Sequence, residues 1–121
     1  MLSEKALEYY EGGFNCAQCI LKACEEEYNV EISDDCYSAC KGLYNGLGVG
    51  GCCGVLIACI MAVGILCDDV PFCRLEMVER FNGEFMSLNC CKLKRGEGCE
   101  ILIEKSCNIL DDIIDKGRKK Y

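Results

Sequence analysis

The chain has 121 residues, of which 14 are cysteine and none is histidine, and its formal net charge is −7. This charge argues against nucleic acid as a partner, because proteins that bind nucleic acid present a basic face to the phosphates. The lack of histidine excludes cysteine–histidine zinc sites, histidine-bound haem and cysteine–histidine nucleophile pairs, and it leaves disulfides, thiolate-only metal or cluster sites, or a thiol store.

Cap and turn signals divide the first half of the chain into three predicted helices. The first covers residues 3–11, is capped by the serine at its start and ends at two glycines. The second covers residues 15–28, and Asn15 and Gln18 at its start form a capping-box pair. The third covers residues 33–44 and begins with a serine followed by two acidic residues.

The second half predicts three further helices. A glycine-rich stretch, 42–51, leads into a central apolar helix over residues 52–66. Pro71 suits the first turn of a fifth helix, and Cys99 begins the last. The expected apolar stripes are Leu75, Val78, Phe81 and Phe85 in the fifth helix, and Cys99, Ile103, Cys107, Leu110 and Ile114 in the last. No segment alternates like a strand. We therefore predict an all-α fold, an irregular bundle of five or six helices around the central apolar helix, in a single cysteine-rich domain of residues 1–121.

The central apolar segment has the length of a membrane span, because residues 49–67 carry no charge and are numerous enough to cross a bilayer. Two aspartates follow the segment directly, and four glycines fall within it. The other helices are amphipathic and need an apolar element to cover. We therefore expect a buried central helix and no membrane partner.

We expect the protein to act in the cytoplasm, because its first ten residues are charged and amphipathic and lack the apolar run of a signal peptide. Thiols stay reduced there, so seven structural disulfides are not expected. An acidic protein can dock on a basic patch of a redox partner protein, and we expect such a partner. The glycine-rich helix starts and the apolar central helix are also compatible with a homodimer.

Position within the predicted helices separates four cysteines from the other ten. Cys16 follows the Asn15 cap, Cys53 follows two glycines at the start of the central helix, and Cys99 opens the last helix. The first turn of a helix offers free N–H groups and the positive end of the helix dipole, which stabilise a thiolate or an anionic cluster. Cys90 lies in the irregular stretch before the last helix, where ligands and reactive thiols are common.

The remaining cysteines have simpler expected roles. Cysteine is often a small buried apolar residue. This interpretation applies to Cys24, Cys59, Cys67 and Cys107, which lie on apolar helices or stripes. Cys36 and Cys40 lie four residues apart and so share a helix face, which suits either a metal pair or core packing.

Four short motifs make the chain recognisable. They are Gly-Phe-Asn-Cys-Ala-Gln at residues 13–18, Gly-Cys-Cys-Gly at 51–54, Phe-Met-Ser-Leu-Asn-Cys at 85–90, and Cys99. In this order they resemble the redox-active protein family named for its C_GCAxxG_C_C signature, over roughly residues 6–113. The resemblance carries the family's positions to Cys16, Cys53, Cys90 and Cys99. One departure is Met86, where the family tends to have glycine.

The resemblance implies a redox-active protein, and four thiolates are the usual ligands of a [2Fe–2S] or [4Fe–4S] cluster. We expect an iron–sulfur cluster as the cofactor, in the [2Fe–2S] form, and electron transfer as the function. The expected cluster or metal ligands are Cys16, Cys53, Cys90 and Cys99. The chain has no Cys-x-x-Cys-His motif, so we expect no c-type haem.

Two other functions are compatible with the same residues. Cys16 and Cys19 form a Cys-x-x-Cys pair at a helix start, as in a thiol–disulfide oxidoreductase or redox sensor, which needs no cofactor and could also use Cys16 with Cys53. Pairs such as Cys16/Cys19 and Cys36/Cys40 could instead bind copper, and four cysteines could form a zinc site. No phosphate loop or dinucleotide motif is present, so the sequence assigns neither a substrate nor an enzymatic reaction.

Overall fold

The computed structural model of the protein describes residues 1–44, 46–89 and 98–117. Within these residues it contains helices and no strand, which confirms the predicted all-α fold. The α-helices are α1 (Leu2–Glu11), α2 (Gln18–Glu27), α3 (Asp34–Ala39), α4 (Gly54–Leu66), α5 (Val70–Phe85) and α6 (Cys99–Gly117). A short irregular helical turn, Gly46–Gly50, precedes α4.

The central apolar helix is α4. It carries no charged residue and packs against α2, α5 and α6. Its buried residues are Gly54, Val55, Leu56, Ala58, Cys59, Ala62, Val63 and Leu66. Because the helix has neighbours on three sides, it has no polar stripe. Within the described ranges, no helix is both long and apolar enough to cross a membrane.

The second long element of the core is α6, which packs against α1, α4 and α5. Its predicted apolar stripe is confirmed. The buried members are Ile103, Cys107, Leu110 and Ile114, and Cys99 at the start is half-buried. The Tyr28 hydroxyl, just after α2, donates a hydrogen bond to Asp111 of α6. α1 covers the outer side of α2 and α6, so the bundle closes around α4 and α6.

The predicted apolar stripe of α5 is wrong in part. The residues of this helix that are buried are Cys73, Met77 and Phe81. They are spaced four apart and so lie on one face. Leu75 is 55% exposed, because two steps along a helix rotate the side chain by about 200°, away from the face that Cys73 and Met77 occupy.

The start of α2 follows the predicted capping box. The Gln18 N–H donates to Asn15 Oδ1 at 2.8 Å, and the Asn15 N–H donates to Gln18 Oε1 at 3.2 Å. Regular helix begins at Gln18, but the Cys19 N–H already donates to the Asn15 carbonyl, so helical hydrogen bonding starts at the cap. Ser33 caps α3 as predicted, whereas Ser3 lies buried inside α1 and caps nothing.

The third helix ends at Ala39, about five residues earlier than predicted. After it, the Cys40 N–H donates to the Tyr37 carbonyl and the Leu43 N–H donates to the Cys40 carbonyl. These bonds join residues three apart, so they tighten the chain into turns instead of continuing the α-helix. The turns bring Leu43 onto the first residue of α4.

The Leu43 carbonyl lies so close to Gly54 that no other residue fits there. A β-carbon built on Gly54 would lie 2.1 Å from the Leu43 oxygen and 3.3 Å from the Cys16 sulfur. Only a residue without a side chain allows this approach. Gly54 therefore lets three separate segments of the chain meet.

We expect Gly54→Ala to lower the free energy of unfolding by about 3 kcal/mol, because the added methyl group collides with backbone. Gly64→Ala is the matched control, since it lies in the same helix with nothing within 4 Å of its β-carbon position. It should raise the free energy of unfolding by about 0.5–1 kcal/mol. Urea denaturation followed by circular dichroism measures the free energy of unfolding of both variants. Equal changes in the two variants would contradict the close contact between Leu43 and Gly54.

Met86 ends α5 in a left-handed conformation, with φ 62° and ψ 15°. Its side chain is 83% exposed, so it contributes little packing. A left-handed conformation costs about 1–2 kcal/mol for a residue with a β-carbon. This strain falls at the position where the resembling family tends to have glycine.

We expect Met86→Gly to stabilise the protein by about 0.5–1 kcal/mol, since it relieves this strain and loses few contacts. Met86→Ala keeps the β-carbon and should give no such gain. The midpoint of urea unfolding distinguishes the two variants. A gain shared by alanine and glycine would show that the backbone conformation is not the cause.

Candidate functional site

Cys16 lies beside the start of α4. Its thiol donates to the Leu43 carbonyl at 3.6 Å, and its sulfur lies 3.3 Å from the position of a Gly54 β-carbon. Cys53 is the residue immediately before Gly54 and is the N-cap of α4, with an extended backbone. Cys16 is 9% exposed and Cys53 is 3% exposed. The fold thus brings these two predicted site residues to one location.

Backbone pairing brings another segment to the same location. The Cys53 N–H donates to the Leu88 carbonyl at 2.9 Å, and Cys52 pairs with Asn89 in an antiparallel bridge. Asn89 is the last described residue before a gap that includes the predicted ligand Cys90 and its neighbour Cys91. The prediction for Cys90 therefore lies outside the described residues.

The structure also separates Cys53 from Cys52, which the sequence could not do. Successive residues of an extended chain point to opposite sides. Cys53 is buried at the start of α4, whereas Cys52 is half-buried and belongs to the bridge with Asn89. This difference supports Cys53 as the residue directed toward the site.

Tyr10 joins the third described site cysteine to this location. It lies at the end of α1, and its hydroxyl is close enough to the Cys99 side chain to interact with it electrostatically. Burial raises the pKa of Tyr10, and the negative charge of Cys99 and Cys16 as thiolates raises it further. Tyr10 was not predicted from the sequence, because nothing local distinguishes it from Tyr9 beside it.

The described site cysteines lie where three helices begin. Cys99 is the first residue of α6, Cys53 is the cap of α4, and Cys16 lies in the capped turn that leads into α2. The prediction of first-turn positions is therefore corrected for two residues: Cys16 lies two residues before α2, and Cys53 lies one residue before α4. Its location still faces the positive end of the α4 dipole, which favours negative charge.

The donor set around this location is sulfur, which suits soft metals and iron–sulfur clusters. Among residues 1–44, 46–89 and 98–117, no three cysteine or carboxylate side chains gather as the ligands of a single metal ion.

Four other cysteines form part of the core. They are Cys19, Cys24, Cys59 and Cys107, on α2, α4 and α6. Burial raises the pKa of each of these thiols, that of Cys24 to about 12. A thiol that stays protonated is a poor nucleophile and a poor ligand. The environment of Cys24, Cys59 and Cys107 agrees with the packing role predicted for them, and Cys67, for which the same role was predicted, is also buried. Cys19 was instead predicted as a partner of Cys16.

This environment weakens the case for a Cys16–Cys19 dithiol. The Cys19 side chain is fully buried, and its thiol donates to the Cys16 carbonyl at 3.4 Å. Burial raises the Cys19 pKa first, and the neighbouring Cys107 and Cys16 raise it further. Although the spacing is Cys-x-x-Cys, the second thiol is held as a neutral core residue.

Cys36 and Cys40 share a face of the α3 segment but have different surroundings. Cys36 accepts a hydrogen bond from the Ser33 hydroxyl at 3.4 Å and is half-buried. Cys40 is buried, and its thiol contacts the Met61 sulfur of α4 at 3.9 Å. Core packing explains Cys40 without a metal. No disulfide joins any two of the twelve described cysteines.

A comparison with protein families shows to which family the chain belongs. The sequence matches the family described as "Putative redox-active protein (C_GCAxxG_C_C)" over residues 14–113. The chain belongs to this family. The matched range includes all four predicted site cysteines, and the family description supports a redox role. In the comparisons with curated proteins and with solved structures, nothing matches.

The contact between Tyr10 and Cys99 predicts a measurable coupling. In Cys99→Ser, the thiolate no longer opposes ionisation of Tyr10, so the pKa of Tyr10 should fall. Carbon-13 NMR of labelled tyrosine rings during an alkaline titration measures this, with the Tyr10 signal assigned from Tyr10→Phe. Cys36→Ser is the control and should leave the Tyr10 titration unchanged. An unchanged titration in Cys99→Ser would contradict the interaction between Tyr10 and Cys99.

Proposed function

We propose that the protein binds an iron–sulfur cluster, of the [2Fe–2S] type, through Cys16, Cys53, Cys90 and Cys99 and exchanges electrons with a redox partner protein. The proposal rests on the positions of three cysteines. The Cys16 sulfur lies beside Gly54, which follows Cys53, and Tyr10 interacts with both Cys99 and Cys16. The family description adds independent support for redox chemistry.

The local electrostatics favour a negatively charged group at this position. Thiolate ligands and sulfide make such clusters anionic overall. The helices α2, α4 and α6 begin at these cysteines, so the positive ends of their dipoles favour an anion there. When bound, the cluster would supply a one-electron acceptor and donor.

The protein's own residues would protect and tune this group. Cys16 and Cys53 are buried under the Leu43 turn, which limits access of water. Cys99 is half-buried, so it is the described ligand nearest to solvent and to a partner. The Tyr10 hydroxyl near Cys99 would place a hydrogen-bond donor beside a ligand sulfur, and hydrogen bonds to sulfur are one of the factors that set reduction potential.

Purification without oxygen tests the proposal directly. Iron, acid-labile sulfide, zinc and copper are measured per chain, together with the visible spectrum before and after reduction. We expect iron and sulfide in equal amounts and a colour that bleaches reversibly. A colourless protein without iron, after expression with iron supplied, would refute the cluster.

Serine variants test the choice of ligands. Cys16→Ser, Cys53→Ser, Cys90→Ser and Cys99→Ser should each lose most of the bound iron and sulfide. Cys36→Ser is matched to Cys99 in exposure, and Cys52→Ser is adjacent to Cys53. Both controls should keep the cluster. If Cys52→Ser loses as much iron and sulfide as Cys53→Ser, the conclusion that Cys53 and not Cys52 faces the site is wrong.

A second candidate uses the same location without a metal. The Cys16 sulfur packs against Gly54, next to Cys53, so these two cysteines are the better partners for a redox-active disulfide than Cys16 and Cys19. A metal-free protein with a titratable Cys16–Cys53 disulfide would support this function. Several copper ions per chain would instead support metal storage, and a single zinc ion would support a structural site.

A further inference from the structure

A second pair of cysteines lies at the opposite end of α4. Cys67 is the residue that ends α4, and Cys73 lies one turn into α5, where its N–H donates to the Asp69 carbonyl at 3.0 Å. Both are buried, and neither belongs to the four proposed cluster ligands. The two residues are separated only by the tight corner between the two helices.

Gly117, at the end of α6, shows how close the two sulfurs are. A β-carbon built on this residue would lie 2.8 Å from the Cys73 sulfur and 3.7 Å from the Cys67 sulfur. The two sulfurs therefore cannot be farther apart than the sum of these distances. The Asp68 N–H donates to the Gly117 carbonyl at 3.0 Å, which holds the end of α6 against the corner.

A cavity of about 300 Å³ opens beside Cys73. This volume is at the lower end for sites that bind small molecules. Among the residues that the structure describes, its charged lining consists of Asp68, Asp69, Glu76 and Lys116. The excess of carboxylates favours a positively charged occupant. Cys73 borders the cavity, whereas Cys67 is fully buried behind it.

We propose that Cys73 and Cys67 form a redox-active dithiol that reduces a small, positively charged disulfide bound in this cavity. The position of Cys73 on the cavity wall makes it the attacking residue. The position of Cys67 behind it makes Cys67 the residue that resolves the mixed disulfide. This activity does not depend on the cluster proposed at the other end of α4.

The reaction has two exchange steps. The Cys73 thiolate attacks one sulfur of the substrate, so a Cys73–substrate disulfide forms, the substrate S–S bond breaks, and the first thiol leaves with the proton that Cys73 lost. The Cys67 thiol then attacks the Cys73 sulfur and passes its proton to the departing sulfur, so a Cys67–Cys73 disulfide forms, the Cys73–substrate bond breaks, and the second thiol leaves with that proton. Two protein thiols are oxidised to one disulfide, and the substrate disulfide is reduced to two thiols.

The small size of Gly117 is what makes the second step feasible. A disulfide requires the β-carbons to approach to about 3.5–4.5 Å with a defined torsion angle, so both side chains must rotate. No side chain at Gly117 obstructs the two sulfurs. Cys59 and Cys107, by comparison, are buried in the core and do not border the cavity.

Cystamine and oxidised glutathione are suitable probes, because the first is a small dication and the second is larger and anionic. The fully reduced protein is incubated with each, and the remaining thiols are alkylated. We expect cystamine to oxidise the pair at a rate about tenfold higher than glutathione disulfide does. A rate for glutathione disulfide equal to or above that for cystamine would overturn the proposed site.

Peptide mapping identifies the bond. Cleavage before Asp68 and Asp69 separates the two cysteines, and trypsin cleaves after Lys41 and Arg74. The oxidised protein should yield residues 42–67 joined to the peptide Asp69–Arg74. Tandem mass spectrometry should then find Cys52, Cys53 and Cys59 of the first peptide alkylated and Cys67 in the bond. The intact mass should fall by two hydrogens. Linkage of either peptide to a different cysteine would refute the pairing.

Three variants separate the roles of the residues. Cys67→Ser should retain cysteamine on Cys73 as a stable mixed disulfide, and Cys73→Ser should show neither product. Glu76→Gln leaves both cysteines in place and should reduce the preference for cystamine. An unchanged preference in Glu76→Gln would contradict the charge argument, even if a cysteine variant fails to fold.

Cys36→Ser serves as the control. Cys36 is more exposed than Cys73, so non-specific chemistry would modify it first. Oxidation of the Cys67–Cys73 pair should proceed at an unchanged rate in this variant. Faster modification of Cys36 than of Cys73 in the unaltered protein would refute a dedicated site.

Discussion

The contact between the Leu43 carbonyl and the backbone of Gly54 is the constraint on which the cysteine site depends. It allows the turn after α3 to lie directly on the start of α4, and the Cys16 thiol bonds to the same carbonyl. Cys16 and Cys53, which are far apart in the sequence, therefore become neighbours. A single β-carbon at Gly54 would push the Leu43 turn away from the start of α4. The site therefore requires this close packing of backbone on backbone.

Burial then divides the cysteines into groups with different chemistry. The core thiols, among them Cys59 and Cys107, have raised pKa values because a low-dielectric interior penalises the thiolate. Those at the helix starts face N–H groups and Tyr10 instead. At the far end of α4, Cys73 borders a cavity and Cys67 is fully buried. The central apolar helix thus separates the cysteines at its start, Cys16 and Cys53, from the pair at its end.

Much of the fold could be predicted from local sequence. The Asn15–Gln18 capping box and the stripe of α6 were correct, because both depend on residues within one or two helical turns. The stripe of α5 was wrong at Leu75, because two overlapping apolar patterns exist in that helix and only its neighbours decide which one is buried. The early end of α3 depends on the docking of Leu43 on α4, which no local signal reveals.

The sequence by itself determined the helical class, most of the caps and the cysteines nearest to helix starts, because hydrogen bonds and periodicity over a few residues carry this information. Only the tertiary structure decided which cysteines share surroundings. Tyr10 lies near Cys99, and Gly117 lies near Cys73. In each case the neighbour comes from a distant part of the chain. The reactivity of a thiol depends on burial, charge and close partners, and these arise when helices pack.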